Sequence, residues 1–203
     1  MKALLLIDIQ NDFMPKGSLA VPQGDKIVAA ANAVQPHFDL VIASQDWHPA
    51  SHVSFAKNHL GKKEFEIIQL EGLEQTLWPA HCVQNTTGAE FHPKLNTQKI
   101  ETIFRKGTNP ALDSYSAFYD NAHQKSTGLA GYLKEKGITQ LYFTGLAADI
   151  CVYFSIKDAL SEGFECTVFE DAVRALDENT YQQQREKLKN QGVIYCHTND
   201  FLK

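Results

Sequence analysis

Hydrophobic positions along the chain gather in short blocks, and six of these have strand length: "KALLLID", "DLVIASQD", "IETIFRKG", "ITQLYFTG", "FECTVFED" and "GVIYCHT". Each is rich in branched or aromatic residues, as buried strands are. Several lack polar alternation, which implies a sheet covered on both faces, the usual state of parallel sheets. Between the blocks lie segments with helical signals, "DKIVAAANAVQPHF", "TGLAGYLKEKG", "DICVYFSIKDALSEG" and "DENTYQQQREKLKNQG". Three of these end in a glycine, Gly137, Gly163 and Gly192, and a strand-like run follows each at once, the signal of a glycine that stops a helix. This alternation predicts right-handed crossovers and a three-layer α/β/α domain around a central, mostly parallel six-stranded sheet. The irregular stretch from about Pro49 to Thr97 is long for a compact domain, and loops of that length are often functional.

Composition narrows the picture. The chain has 203 residues, 43% hydrophobic and 21% charged, which fits one folded domain over residues 1–203. Its net charge of −5, with Lys and Arg scattered, gives no basic stripe for a run of phosphates, so nucleic acid is not an expected partner. The opening "MKALLLIDIQ" is broken by Asp8 and fails as a signal peptide, and no apolar run is long enough to span a membrane. A cytoplasmic protein is expected. Cys82, Cys151, Cys166 and Cys196 are far apart and without paired spacing, so free thiols are expected rather than a disulfide framework.

Ligands in α/β folds collect beyond the carboxyl ends of the strands. Asp8, Asp46, Lys106 and Gly145 all stand where a strand runs out. Asp46 and His48 are two apart, so in extended chain both point to one side, and "WPAHC" offers His81 as a third donor. One carboxylate and two imidazoles suit a divalent metal with open positions. Equally, each His alone reads as a packed or surface ring. Asp149 is expected to cap a helix running to Gly163, with Cys151 in its first turn, where the helix dipole favours a thiolate and backbone N–H groups face a developing oxyanion. The other reading of Cys151 is a small buried hydrophobe. His37, His59, His92 and His123 look like ordinary loop or helix residues, which leaves Asp8 as the candidate base, with a pKa raised by burial, and Lys106 as the neighbouring cation. Taken singly, Asp8 and Lys106 read as well as a helix cap and a solvated lysine. The remaining cysteines read as structural. No GxGxxG follows the first strand, so a dinucleotide-binding dehydrogenase is not indicated.

The segments "LLLIDIQNDFMPKGSLAVPQGD", "ASQDWHPASHVSFA", "LWPAHCVQNTTGAEFHP", "FRKGTNPALDSYSAFYD" and "FTGLAADICVYFSIKDAL", in this order, resemble the nicotinamidases of the isochorismatase-like cysteine hydrolases along essentially the full chain. The resemblance implies an amidohydrolase that turns nicotinamide into nicotinate and ammonia through a cysteine thioester, with a place in NAD salvage and activity on pyrazinamide. It implies a triad of Asp8, Lys106 and Cys151, and one divalent ion, zinc with iron or manganese as alternatives, on Asp46, His48 and His81. At His52 family members differ in whether the metal is bound directly or through water. It further implies an oxyanion hole from the backbone N–H groups of Ala147 and Cys151, a cis peptide before Ala147, and Phe13 and Trp78 as walls for the pyridine ring. Tyr115 either lines that pocket or packs the core. The chain is expected to act as a monomer or a homo-oligomer on a small molecule. Relatives that hydrolyse carbamoyl or ureido compounds lack the DxH and WPxHC pieces, and a non-catalytic metal-binding module would have no need of Cys151.

Overall fold

A computed structural model describes residues 1–70 and 72–203. Its main sheet is built from β1 (Lys2–Ile7), β2 (Leu40–Asp46), β5 (Ile100–Lys106), β6 (Gln140–Leu146), β7 (Glu165–Arg174) and β8 (Ile194–Cys196), after a hairpin of β3 (Ile67–Leu70) and β4 (Leu73–Thr76) in the long connection. The strand order is β5-β2-β1-β6-β7-β8 and every pairing within this sheet is parallel. All six strand-like blocks of the sequence are therefore strands of one sheet. Among the described residues, four α-helices lie between these strands, α1 (Ile27–Val34), α2 (Leu129–Glu135), α3 (Tyr153–Ser161) and α4 (Glu178–Lys189), and the short α5 (Thr198–Phe201) follows β8.

The unbroken apolar run of β1 is explained by its position between β2 and β6, with both faces covered. Its alternate side chains Ala3, Leu5 and Ile7 enter one core with Leu129, Leu133, Ile156 and Leu188 from α2, α3 and α4. Leu4 and Leu6 enter a second core on the other face with Ile27, Ala31 and Val34 from α1. Two cores on one sheet make the three expected layers.

The strand order reverses between β1 and β6, which in a doubly wound sheet opens a crevice at the carboxyl ends. Across that edge, in spatial order, come Lys106, Asp46, Asp8 and the β6 terminus, because Lys106 pairs with Asp46 and Ile7 with Gly145. Gly145 has φ +128°, and a Cβ there would overlap the Ile7 carbonyl, so β1 and β6 close up where the site begins.

Two local expectations need correction. A π-helical turn, Ala148–Val152, precedes α3, and Ala147 rather than Asp149 caps it. The Asp149 carboxylate instead accepts the N–H groups of Leu176 and Asp177 at 2.9 and 2.8 Å, beyond β7. The stretch after Pro49 was expected to be irregular, yet it contains β3–β4; the alternation in "IIQL" is too short to stand out from a loop.

Candidate functional site

Asp8 follows the last residue of β1 in a left-handed conformation, φ +49°, which turns the chain away and leaves its fully buried carboxylate at the strand end. Ser44 Oγ donates to its Oδ1 at 2.6 Å, and Lys106 Nζ lies 2.9 Å from its Oδ2. Lys106 is itself buried and also donates to Asp46 Oδ1 at 2.9 Å, to the Ser114 carbonyl at 3.1 Å and towards Cys151 Sγ at 3.5 Å. One ammonium thus touches the candidate base Asp8, the Cys151 thiol and Asp46, the first residue of the metal-like set.

The charges follow from this packing. Burial alone would strip the proton from Lys106, but Asp46 and Asp8 outweigh it and hold its pKa well above the ordinary value. Burial raises the Asp8 carboxyl despite the pull of Lys106 in the other direction. Burial also pushes the Cys151 thiol well up, helped by Asp8 and Asp46 against Lys106. The thiolate expected from the helix dipole is therefore corrected: burial and the nearby carboxylates favour the thiol form of Cys151, with the Lys106 ammonium 3.5 Å from its Sγ. Desolvation beside two carboxylates outweighs the end of a helix.

Asp46, His48 and His81 are buried and their donor atoms lie within 4.8 Å of one another. Asp46 Oδ2 is 3.1 Å from His48 Nε2 and 3.5 Å from His81 Nε2. The far nitrogens are occupied: His48 Nδ1 donates to the Gly107 carbonyl at 2.9 Å and His81 Nδ1 to the Pro79 carbonyl at 2.8 Å. Such bonds leave both Nε2 atoms free for a cation and fix the rings, the usual support for histidine ligands. Burial opposes the charge on Asp46, but His48 and Lys106 hold its carboxyl well below the ordinary range. This donor set fits a divalent ion.

His52 stacks beside His48 with ring centroids 4.2 Å apart. Ser54 Oγ lies 2.8 Å from its Nδ1, and its buried Nε2 has no hydrogen-bond partner. Burial and then His48 push its pKa down to about 4, so the ring is neutral near pH 7.

A small cleft joins the two clusters. Phe13, Asp46, His48, Trp78, His81, Tyr115, Ala147 and Cys151 line it, with Asp113, Ile150 and Leu176. The peptide between Leu146 and Ala147 is cis. Every site residue expected from the sequence is thus in the cleft or directly behind it, with Asp8, Lys106 and His52 in the second position. Sequence reasoning missed Asp113, Ile150 and Leu176 as lining residues. Only Asp113, inside "FRKGTNPALDSYSAFYD", carried a signal, as a carboxylate shortly after Lys106. All four cysteines are free, and no helix of the described residues is long and apolar enough to cross a membrane.

Comparison with known proteins adds context to this geometry. A family model described as the isochorismatase domain matches residues 2–200. The nicotinamidase of Acinetobacter baylyi is 48% identical over 201 residues, covering 98% of this chain and 94% of its own. A solved Acinetobacter baumanii nicotinamidase and pyrazinamidase superposes with a TM-score of 0.95 at 44% identity, covering 98% of this chain and 97% of that one. The pyrazinamidase of Pyrococcus horikoshii, solved in complex with zinc, gives 0.80 at 34% identity, covering 97% and 98%.

Proposed function

The chain belongs to the isochorismatase domain family, and from that premise we propose that it is a nicotinamidase in which residues 1–203 act as one domain, Asp8, Lys106 and Cys151 carry the chemistry, and Asp46, His48 and His81 hold a divalent metal. The observation that carries the reading is the buried Lys106 ammonium in contact with Asp8, Asp46 and Cys151 at once, directly behind an aromatic-walled cleft. The cleft suits a flat neutral ring between Phe13 and Trp78, with Tyr115 edge-on to Trp78. The reading includes pyrazinamide, which the name of the Acinetobacter baumanii relative supports.

Asp8 takes the proton from the Cys151 thiol, and Sγ bonds to the carboxamide carbon. The backbone N–H groups of Ala147 and Cys151 receive the oxyanion. Asp8 hands the proton to the departing nitrogen, ammonia leaves, and a thioester remains on Cys151. Asp8 then deprotonates a water that attacks the thioester; the acid leaves and the thiol is restored. Lys106 keeps the buried Asp8 and the transient thiolate balanced in charge through both halves. A divalent ion, zinc in this reading with iron or manganese as the other choices, would be held by Asp46, His48 and His81, with His52 reaching it directly or through water, and would supply an anchor for the ring nitrogen. Zinc in the Pyrococcus horikoshii relative and the converging Nε2 atoms support this part. Four free cysteines support a reducing compartment, hence a cytoplasmic enzyme, and release of nicotinate from nicotinamide gives it a place in NAD salvage.

Ammonia release from nicotinamide tests the reading. The purified protein is expected to release it, to stop after chelation, to recover with added metal, and to stay inactive as Cys151→Ala. Turnover by Cys151→Ala, or no turnover by the metal-loaded wild type, overturns it.

A further inference from the structure

The loop after β1 offers a side chain to the site at every second position, Asp8, Gln10 and Asp12, and only the first faces the thiol. Gln10 is completely buried, yet its amide meets nothing but backbone. Its Oε1 accepts the Asp46 N–H at 2.8 Å, and its Nε2 donates to the carbonyls of Asp46 and Ala89, each at 2.8 Å. The reason lies in the sheet. The ladder between β1 and β2 ends at the pair Leu6 and Ala43, so by Asp46 the neighbouring strand has gone. The Gln10 amide takes its place, closing both backbone groups of Asp46 as a strand peptide would.

Asp12 does the same for the second segment. Its Oδ2 accepts the Cys82 N–H at 2.7 Å, directly after His81, where Cys82 has φ +45°. A Cβ on Gly88 would overlap this carboxylate, so the loop that carries His81 closes around Asp12 through a glycine. Neither Gln10 nor Asp12 lines the cleft.

We infer that Gln10 and Asp12 are positioning residues for the metal: they tie Asp46 and His81, from distant segments, to the loop that carries the base Asp8, and so set the distance between the anchored ring and the thiol. The inference rests on the reading of Asp46, His48 and His81 as the metal-holding set. A residue that only stabilises the fold would change the melting temperature and leave the metal affinity of the folded protein alone. A positioning residue changes the affinity.

The test uses the full chain, stripped of metal, with zinc affinity measured by competition with a chromophoric chelator at a temperature where each variant is folded by circular dichroism. Gln10→Met keeps the volume and loses all three hydrogen bonds; Gln10→Glu keeps only the acceptor for Asp46; Asp12→Ala loses the acceptor for Cys82; Asp12→Asn keeps one. The expected result is one zinc per wild-type chain, about 10- to 100-fold weaker binding for Gln10→Met and Asp12→Ala, and substantial recovery in Asp12→Asn. Folded variants that bind zinc within two-fold of wild type overturn the inference, as does failure of both Gln10 variants to fold, which would make Gln10 part of the fold alone. A wild-type chain that takes up no zinc, iron or manganese overturns the metal reading itself, a result distinct from wild-type loading with unaltered variants.

Discussion

At the scale of single residues, Lys106 settles what the site can do. It is a fully charged group between two buried carboxylates, and its removal would leave them facing each other without a cation. Breaking such a buried set by deleting one partner costs roughly 3 to 5 kcal/mol, so Lys106→Met is expected to lower Tm by on the order of 10 °C as well as to abolish turnover; a melt of the metal-free variant checks the first part. Asp8 gives the pH dependence. Its carboxyl is raised by burial, and only the ionised form accepts the thiol proton, so kcat/KM is expected to fall as the pH drops through an inflection above the ordinary aspartate value of about 4. An acid limb at or below that value would count against Asp8 as the base. Much of this was legible in the chain: an aspartate, a lysine and a cysteine at strand or helix ends are chemistry placed where ligands collect. The roles of Gln10, Asp12 and Ser44 were not legible, because their partners lie 36 to 79 positions away and two of the three bind backbone groups, which have no residue signature.

At the scale of elements, the turn that presents Cys151 is held from behind. The sequence places a helix after Gly145 correctly, but the winding of its first turn depends on what Asp149 finds across the crevice. Its buried carboxylate bridges to Leu176 and Asp177, and Gln184 of α4 donates to its carbonyl at 3.1 Å. Had Asp149 capped its own helix, as serine or aspartate at such a position commonly does, the turn and the loop after β7 would be independent. Instead they are tied together, and Leu176 of that loop lines the cleft. Asp149→Ala unpairs two backbone N–H groups at about 1 to 3 kcal/mol each. It is expected to lower Tm clearly and to raise KM for nicotinamide through a displaced Leu176, while Asp149→Asn, with one oxygen left to accept, falls between. Steady-state kinetics beside a thermal melt separates the two effects; an Asp149→Ala variant with wild-type KM would mean that the tether does not shape the cleft.

At the scale of the whole molecule, the sheet order brings together donors that the sequence scatters, and a metal ion bound there acts on the stability of the entire fold. Any ligand that binds only the folded chain stabilises it by mass action, so zinc is expected to raise Tm with its concentration. The size of that rise must depend on pH. Burial works against a charged His48, but Asp46, 3.1 Å from its Nε2, more than offsets this and raises its pKa. A proton on that nitrogen occupies the lone pair that the metal needs, so metal and proton compete. Above the raised value of His48 the ring is free of that proton and the stabilisation by zinc is at its fullest; as the pH falls through it, the proton wins and the stabilisation is lost. The difference in Tm between zinc-loaded and metal-free protein is therefore expected to shrink steadily from pH 8 to pH 5.5, at fixed zinc. In His48→Ala, which has one donor fewer, the difference is expected to be small throughout this range. A wild-type difference that stays constant over this range would show that the ion does not sit on His48, and the metal site would have to be sought elsewhere in the fold.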